Sequence, residues 1–214
     1  MDSFKEEGCP LCFLTKSSVD RYLDSFLYES VNDPGIRKEL HRTGGFCNAH
    51  AWQLTDFSVG RLGIAILYQN LVSRTEESLA KNNSSGASQE RNKSGFTLRK
   101  NKNVCPACRT ASESEDRYTK AFCDCLDDEE FFKDYAATAG LCLPHFDGVL
   151  GRISASAIVE RLIRIQKEKL NSLDDELGEF IRKHDHRFSG EGYGSERDSW
   201  RRAIEKLVGK REVF

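Results

Sequence analysis

Methionine occurs once in this 214-residue chain, proline four times and tryptophan twice. Proline that scarce leaves long stretches free to run as helix, since only a few positions block the backbone ladder. No apolar run comes near the roughly 18 residues that would read as a membrane span. The opening MDSFKEEG is polar and acidic and does not read as a signal peptide, so a cytoplasmic protein with no membrane contact is expected. A large excess of charge of either sign is also missing. Thirty-two Lys and Arg against thirty-four Asp and Glu give a net charge of −2, which excludes a generally basic, nucleic-acid-coating chain. Sustained strand alternation is absent, which points to an all-α protein. No Gly-rich phosphate loop, nucleophile elbow or H-E-x-x-H is found, and no residue is assigned a catalytic role.

Cysteine, by contrast, is plentiful, and its placement repeats. Cys9-Pro10-Leu11-Cys12 is followed by Cys47-Asn48-Ala49-His50, and Cys105-Pro106-Ala107-Cys108 by Cys142-Leu143-Pro144-His145. The two pairs are separated by 34 residues in the first copy and 33 in the second. Six of the eight cysteines lie in these pairs and the chain is not small, so metal binding is a better reading than a disulfide framework. Three thiols and an imidazole form a four-ligand set for a tetrahedral soft-to-borderline metal, zinc above all. Two zinc ions are therefore expected. The alternative is an iron–sulfur cluster, whose ligands are usually cysteine alone.

The repeat extends beyond the ligands. Asp116-Arg117-Tyr118 follows Asp20-Arg21-Tyr22 at an offset of 96 residues, the same as Cys105 from Cys9. Gly140-Leu141-Cys142 answers Gly45-Phe46-Cys47, and Gly151-Arg152-Ile153 answers Gly60-Arg61-Leu62. This predicts two pseudo-symmetric helical repeats, each with a Cys3His site, and a C-terminal helical extension. Residues 1–81 form repeat one, 82–103 a flexible basic linker, 104–187 repeat two and 188–214 the C-terminal helix. The linker sets Arg91, Lys93, Arg99, Lys100 and Lys102 against Glu90 with almost no apolar side chains, and its ordering entropy would go unmatched. Lacking aromatic interleaving, it supports nucleic-acid binding only weakly.

Within repeat one, Val19, Tyr22, Leu23, Phe26 and Leu27 recur at helical spacing, and Asn32-Asp33-Pro34-Gly35 ends that helix. A short helix over about Ile36–Arg42 precedes Cys47, with Trp52 and Leu54 expected to pack around the turn. GRLGIAILYQNLV from Gly60 is apolar nearly all round and predicts a buried helix. Loop-closure entropy favours local pairing, with Cys9, Cys12, Cys47 and His50 in one site and Cys105, Cys108, Cys142 and His145 in the other. The preference amounts to only roughly 1 kcal/mol. A cation such as Arg42 or Arg109 is expected to offset the site's formal charge of −1.

In the second half, Cys123 and Cys125 have no counterparts in repeat one; Cys123 reads as core filling. His184 and His186 sit among Arg182, Lys183 and Arg187, which reads as a solvated helix end, and His41 as a surface residue without a partner. Ser195–Asp198 resembles a capping box starting a last helix with Trp200, Ala203, Ile204, Leu207 and Val208 on one face.

The CPLC run, DRYLDSFLYESVNDPGIRKEL, GGFCNAHAWQL and GRLGIAILYQNL resemble an uncharacterised prokaryotic family, a domain of unknown function. Its members carry the same CPxC…CxxH signature and a similar KHDxRF…W segment, here Lys183–Phe188 and Trp200. The resemblance covers nearly the whole chain and implies the architecture but no activity. The function expected from the residues is that of a metal-binding interaction or regulatory module with a protein partner. The alternative is an iron–sulfur or thiol-redox protein for electron transfer or sensing.

Overall fold

A computed structural model describes residues 2–31, 33–57, 60–84, 104–188, 190–211 and 213. Among these the chain is all helical, and most of the expected linker lies outside them. The α-helices are α1 (Pro10–Ser25), α2 (Pro34–Thr43), α3 (Asn48–Gln53), α4 (Arg61–Ser84), α5 (Pro106–Asp124), α6 (Glu129–Ala137), α7 (Leu143–Leu150), α8 (Ser156–Lys183) and α9 (Ser199–Val208). The order long, short, short, long thus occurs in each half. No described helix is long and apolar enough to cross a membrane.

The chain divides into two compact units, and neither is a sequence half. Unit 1 is Met1–Ser17 with Glu113–Phe214, and unit 2 is Ser18–Ser112. Helix α1 therefore begins in unit 1 and ends in unit 2, while α5 begins in unit 2 and ends in unit 1.

In unit 2, Val19, Leu23, Phe26, Leu40, Phe46, Leu54 and Leu67 form the core together with Ala107 and Ala111. Phe26 meets Phe46 edge to face at 5.2 Å, placing the residue before Cys47 against the far end of α1. Asp33 caps α2 by accepting from Ile36 N at 2.9 Å, which fixes the expected turn. The start of α4 is closely packed. A Cβ on Gly60 would lie 2.5 Å from Leu27 Cδ1, so any larger residue there would make the Leu27 side chain shift.

Three expectations fail in this unit. Helix α4 is not buried: Leu67 is, but Leu62 is 74% and Val72 64% exposed. Trp52 is likewise 69% exposed, and only Leu54 of that pair enters the core. His41 does have a partner, since its Nε2 hydrogen-bonds Asn70 Oδ1.

Unit 1 is built around Leu11, Phe122, Phe131, Phe132, Tyr135, Leu141, Val149 and Leu162. Phe122 meets Phe131 at 5.4 Å and Tyr135 at 5.1 Å, both edge to face. Asp128 caps α6 by accepting from Glu130 N and Phe131 N. The capping box expected at Ser195 does not form. Residues Ser195–Asp198 are a 3-10 turn, α9 starts one residue later, and Asp198 makes no side-chain cap. Glu196 instead accepts from Lys183 Nζ at 2.7 Å and from Gly194 N at 2.8 Å.

Helix α9 packs the reverse of what its sequence pattern leads one to expect. Ser199 and Lys206 are buried, while Trp200, Ile204, Leu207 and Val208 are each more than half exposed.

Candidate metal centres

All four ligand pairs use the same local construction. The first i→i−4 bonds are Phe13 N to Cys9 O, Ala51 N to Cys47 O, Arg109 N to Cys105 O and Phe146 N to Cys142 O, at 2.8–3.1 Å. The first cysteine of every pair is therefore the residue just before a helix, and the second ligand lies three residues on, within the first turn. Both donors face the end where backbone N–H groups lack intrahelical partners, an environment that favours thiolate. Pro10 and Pro106 occupy the first helical position, where a missing N–H costs nothing.

The structure gathers all eight sequence-predicted ligands into two groups, but pairs them otherwise than expected. Cys9, Cys12, Cys142 and His145 come together in unit 1, and Cys47, His50, Cys105 and Cys108 in unit 2. Local pairing is thus overturned: each C-P-x-C pair joins the C-x-x-H pair of the other half. The reason is packing within each unit. In unit 2, Phe46 meets Phe26, and Cys47 and Cys108 pack on the same core. In unit 1, Leu11 and Leu141, beside Cys12 and Cys142, are buried in one core. Such packing outweighs a loop-entropy preference of roughly 1 kcal/mol.

Tetrahedral coordination with bonds of about 2.3 Å to sulfur and about 2.0 Å to nitrogen places two sulfurs about 3.8 Å apart and sulfur and nitrogen about 3.5 Å apart. In unit 1, Cys12 Sγ is 3.6 Å from Cys142 Sγ. His145 Nδ1 lies 3.5, 3.3 and 3.1 Å from Cys9, Cys12 and Cys142. In unit 2, Cys108 Sγ is 3.6 Å from Cys47 Sγ. His50 Nδ1 lies 3.1, 3.8 and 3.3 Å from Cys47, Cys105 and Cys108. These distances match those between ligands of one tetrahedral ion, and the sulfurs are too far apart for a disulfide bond.

Proton chemistry supports the same reading. Burial raises the Cys9 thiol, but hydrogen bonds from Cys12, Cys142 and His145 outweigh it and hold Cys9 well below the usual range. Cys12 is driven upward by its hydrogen bonds with Cys142 and Cys9 and by burial. The Cys12 hydrogen bond lowers Cys142, yet the Cys9 thiolate and burial carry it up to about 12. In unit 2, burial and the charges of Cys105 and Cys47 push Cys108 up to about 12. Sulfurs this close cannot all ionise unaided, because each thiolate disfavours the next. A divalent cation removes that obstacle, and the donor set fits one.

Around the centre of unit 1 stands a shell of residues that spacing alone did not reveal. The Glu115 carboxylate lies 3.5 Å from His145 Nε2. Gln166 Nε2 donates to Leu141 O at 3.0 Å, and Lys206 Nζ to Ala139 O at 2.9 Å, fixing the loop that delivers Cys142. Gly140 has φ +75°, and a Cβ there would sit 3.1 Å from Lys206 Nζ. The Lys210 N–H points at Cys12 Sγ from 3.5 Å. Burial pushes the Lys206 amine down to about 8, while Cys9 and Cys142 pull it up. Lys206 is therefore the cation set against the thiolates of unit 1. Of the cations expected from sequence, Arg109 pairs with Glu39 at 2.6 Å in unit 2.

Cys123 and Cys125 join neither group; Cys123 lies half-buried against the unit 1 core and Cys125 is exposed. His184 Nδ1 lies 2.9 Å from Phe180 O, and its ring packs on Phe180 at 4.3 Å. With Tyr193 and Arg197, these two line an open hollow of about 410 Å³. Asp185 lies 2.7 Å from Arg187 and 3.2 Å from His186, whose side chain is exposed.

A family model described as a family of unknown function, DUF6062, matches residues 1–213. The chain belongs to the DUF6062 family. Both centres lie within the matched residues, and the family's description carries no activity to them. A curated relative, "Uncharacterized 23.9 kDa protein in xynA 3'region" from Caldicellulosiruptor sp. (strain Rt8B.4), is 29% identical over 211 residues, covering 98% of each chain. No solved structure matches this DUF6062 chain.

Proposed function

We propose that both centres hold zinc as structural clamps, and that the protein works as an interaction or regulatory module in the cytoplasm. The observation that carries this reading is the donor set: each centre has four protein ligands, three of them sulfur, at tetrahedral spacing. A catalytic zinc keeps a coordination position for water or substrate, and these sets fill all four. Six free thiols committed to metal suit a reducing compartment. What supports a protein partner is the outward apolar face of α9, since exposed apolar patches on soluble proteins commonly mark contact surfaces.

Purification without oxygen, followed by metal analysis and an optical spectrum, tests the reading. Two zinc ions per chain in a colourless solution are expected. Brown protein containing iron and acid-labile sulfide would replace it with the iron–sulfur alternative.

A further inference from the structure

The two centres share ligand geometry and differ in cover. In unit 1 the sulfurs 3.6 Å apart belong to Cys12 and Cys142, which are 1% and 0% exposed. The C-terminal segment provides that cover: Val213 packs on both cysteines, Lys210 N–H reaches Cys12 Sγ, and Lys206 is buried close by. In unit 2 the residues in the equivalent ligand positions are Cys108 and Cys47, also 3.6 Å apart between sulfurs. Both are half-buried, although Cys105 and His50 behind them are buried. Cys9 in unit 1 is half-buried as well, but the sulfurs it could close with, Cys12 and Cys142, are not accessible.

We propose that Cys47 and Cys108 form an oxidation-sensitive pair through which unit 2 releases its metal, while the centre of unit 1 holds. Oxidation of metal thiolates depends on an oxidant reaching sulfur, so equal geometry with unequal cover gives unequal reactivity. The oxidant class is a hydroperoxide. One thiolate of the pair attacks a peroxide oxygen and breaks the O–O bond, giving a sulfenic acid and, from hydrogen peroxide, hydroxide. The neighbouring thiolate then attacks the sulfenic sulfur, forms the S–S bond and expels a second hydroxide. The pair loses two electrons and the peroxide gains them. Left with Cys105 and His50 alone, the metal dissociates. Reduction by a dithiol restores both thiolates and the site.

This inference rests on the zinc reading above, and the experiment separates the two. The zinc content of the full chain, prepared without oxygen, is measured first. Hydrogen peroxide is then added in the presence of a chromogenic zinc chelator, free thiols are alkylated, and disulfides are mapped by mass spectrometry. The expected result is loss of one of the two zinc ions in a separate, faster phase, together with a Cys47–Cys108 disulfide. Dithiol and zinc should reverse both changes. Release of both ions in a single phase, or a first disulfide between Cys12 and Cys142, would overturn the inference and leave the zinc reading standing. A chain that carries no zinc before peroxide is added overturns the zinc reading itself, and this inference with it.

Discussion

Replacing Cys142 with serine is expected to lower the metal content from two zinc ions per chain to one and to unfold unit 1. Cys142 sits at the junction of the group, 3.6 Å from Cys12 and 3.1 Å from His145 Nδ1. A structural zinc in small metal-folded domains contributes an apparent ~10–16 kcal/mol at neutral pH. That matches or exceeds the ~5–15 kcal/mol by which ordinary domains are stable. The cooperative transition of unit 1 should therefore be lost and not merely shifted. Alkylation with mass readout checks where the damage falls. Cys9 and Cys12 should become reactive, while the buried Cys105, held with Cys47, His50 and Cys108, keeps its protection. If Cys105 became reactive instead, the ligands would pair within halves.

Removing both metals should have a still larger effect. With a strong chelator at neutral pH under reducing conditions, helical signal is expected to fall and thermal unfolding to lose its sharp transition. The cause is charge as well as connectivity. Without a dication, three sulfurs within hydrogen-bonding distance of one imidazole must take back protons, and Lys206 stays buried with less negative charge beside it. Readding zinc should restore the transition. A chelated protein that kept its fold and melting temperature but lost one defined ligand or reaction would make these working centres, not clamps.

How much of this could be read from the chain differs from residue to residue. The eight ligands stand out because metal-ligand spacing is a local property, and two residues between donors put both on one helical turn. The all-helical class followed from periodicity for the same reason. Pairing is not local. It depended on which core each pair packs against, Leu11 and Leu141 in unit 1 and Phe46 and Ala107 in unit 2, which spacing does not show, and the reading fell back on loop entropy. The direction of α9 was hidden more deeply. Its apolar stripe marks an inward face under ordinary burial rules, whereas a thiolate-rich centre needs a cation beside it, and Lys206 lies on the opposite side. The exposed side of α4 shows a similar limit, because composition without a partner surface does not say which apolar residues find cover.

The exchange of ligand pairs between halves is tested most directly by cutting the chain. Fragments 1–94 and 95–214 each contain a C-P-x-C pair and a C-x-x-H pair, so each has a complete Cys3His set of its own. Native mass spectrometry of each fragment alone, and of the two expressed together, reads the metal content of every species. The structure predicts a one-to-one complex carrying two zinc ions, with neither fragment alone retaining one, because the two ligand pairs of each half belong to different units. One zinc ion bound stably by each isolated fragment would contradict it.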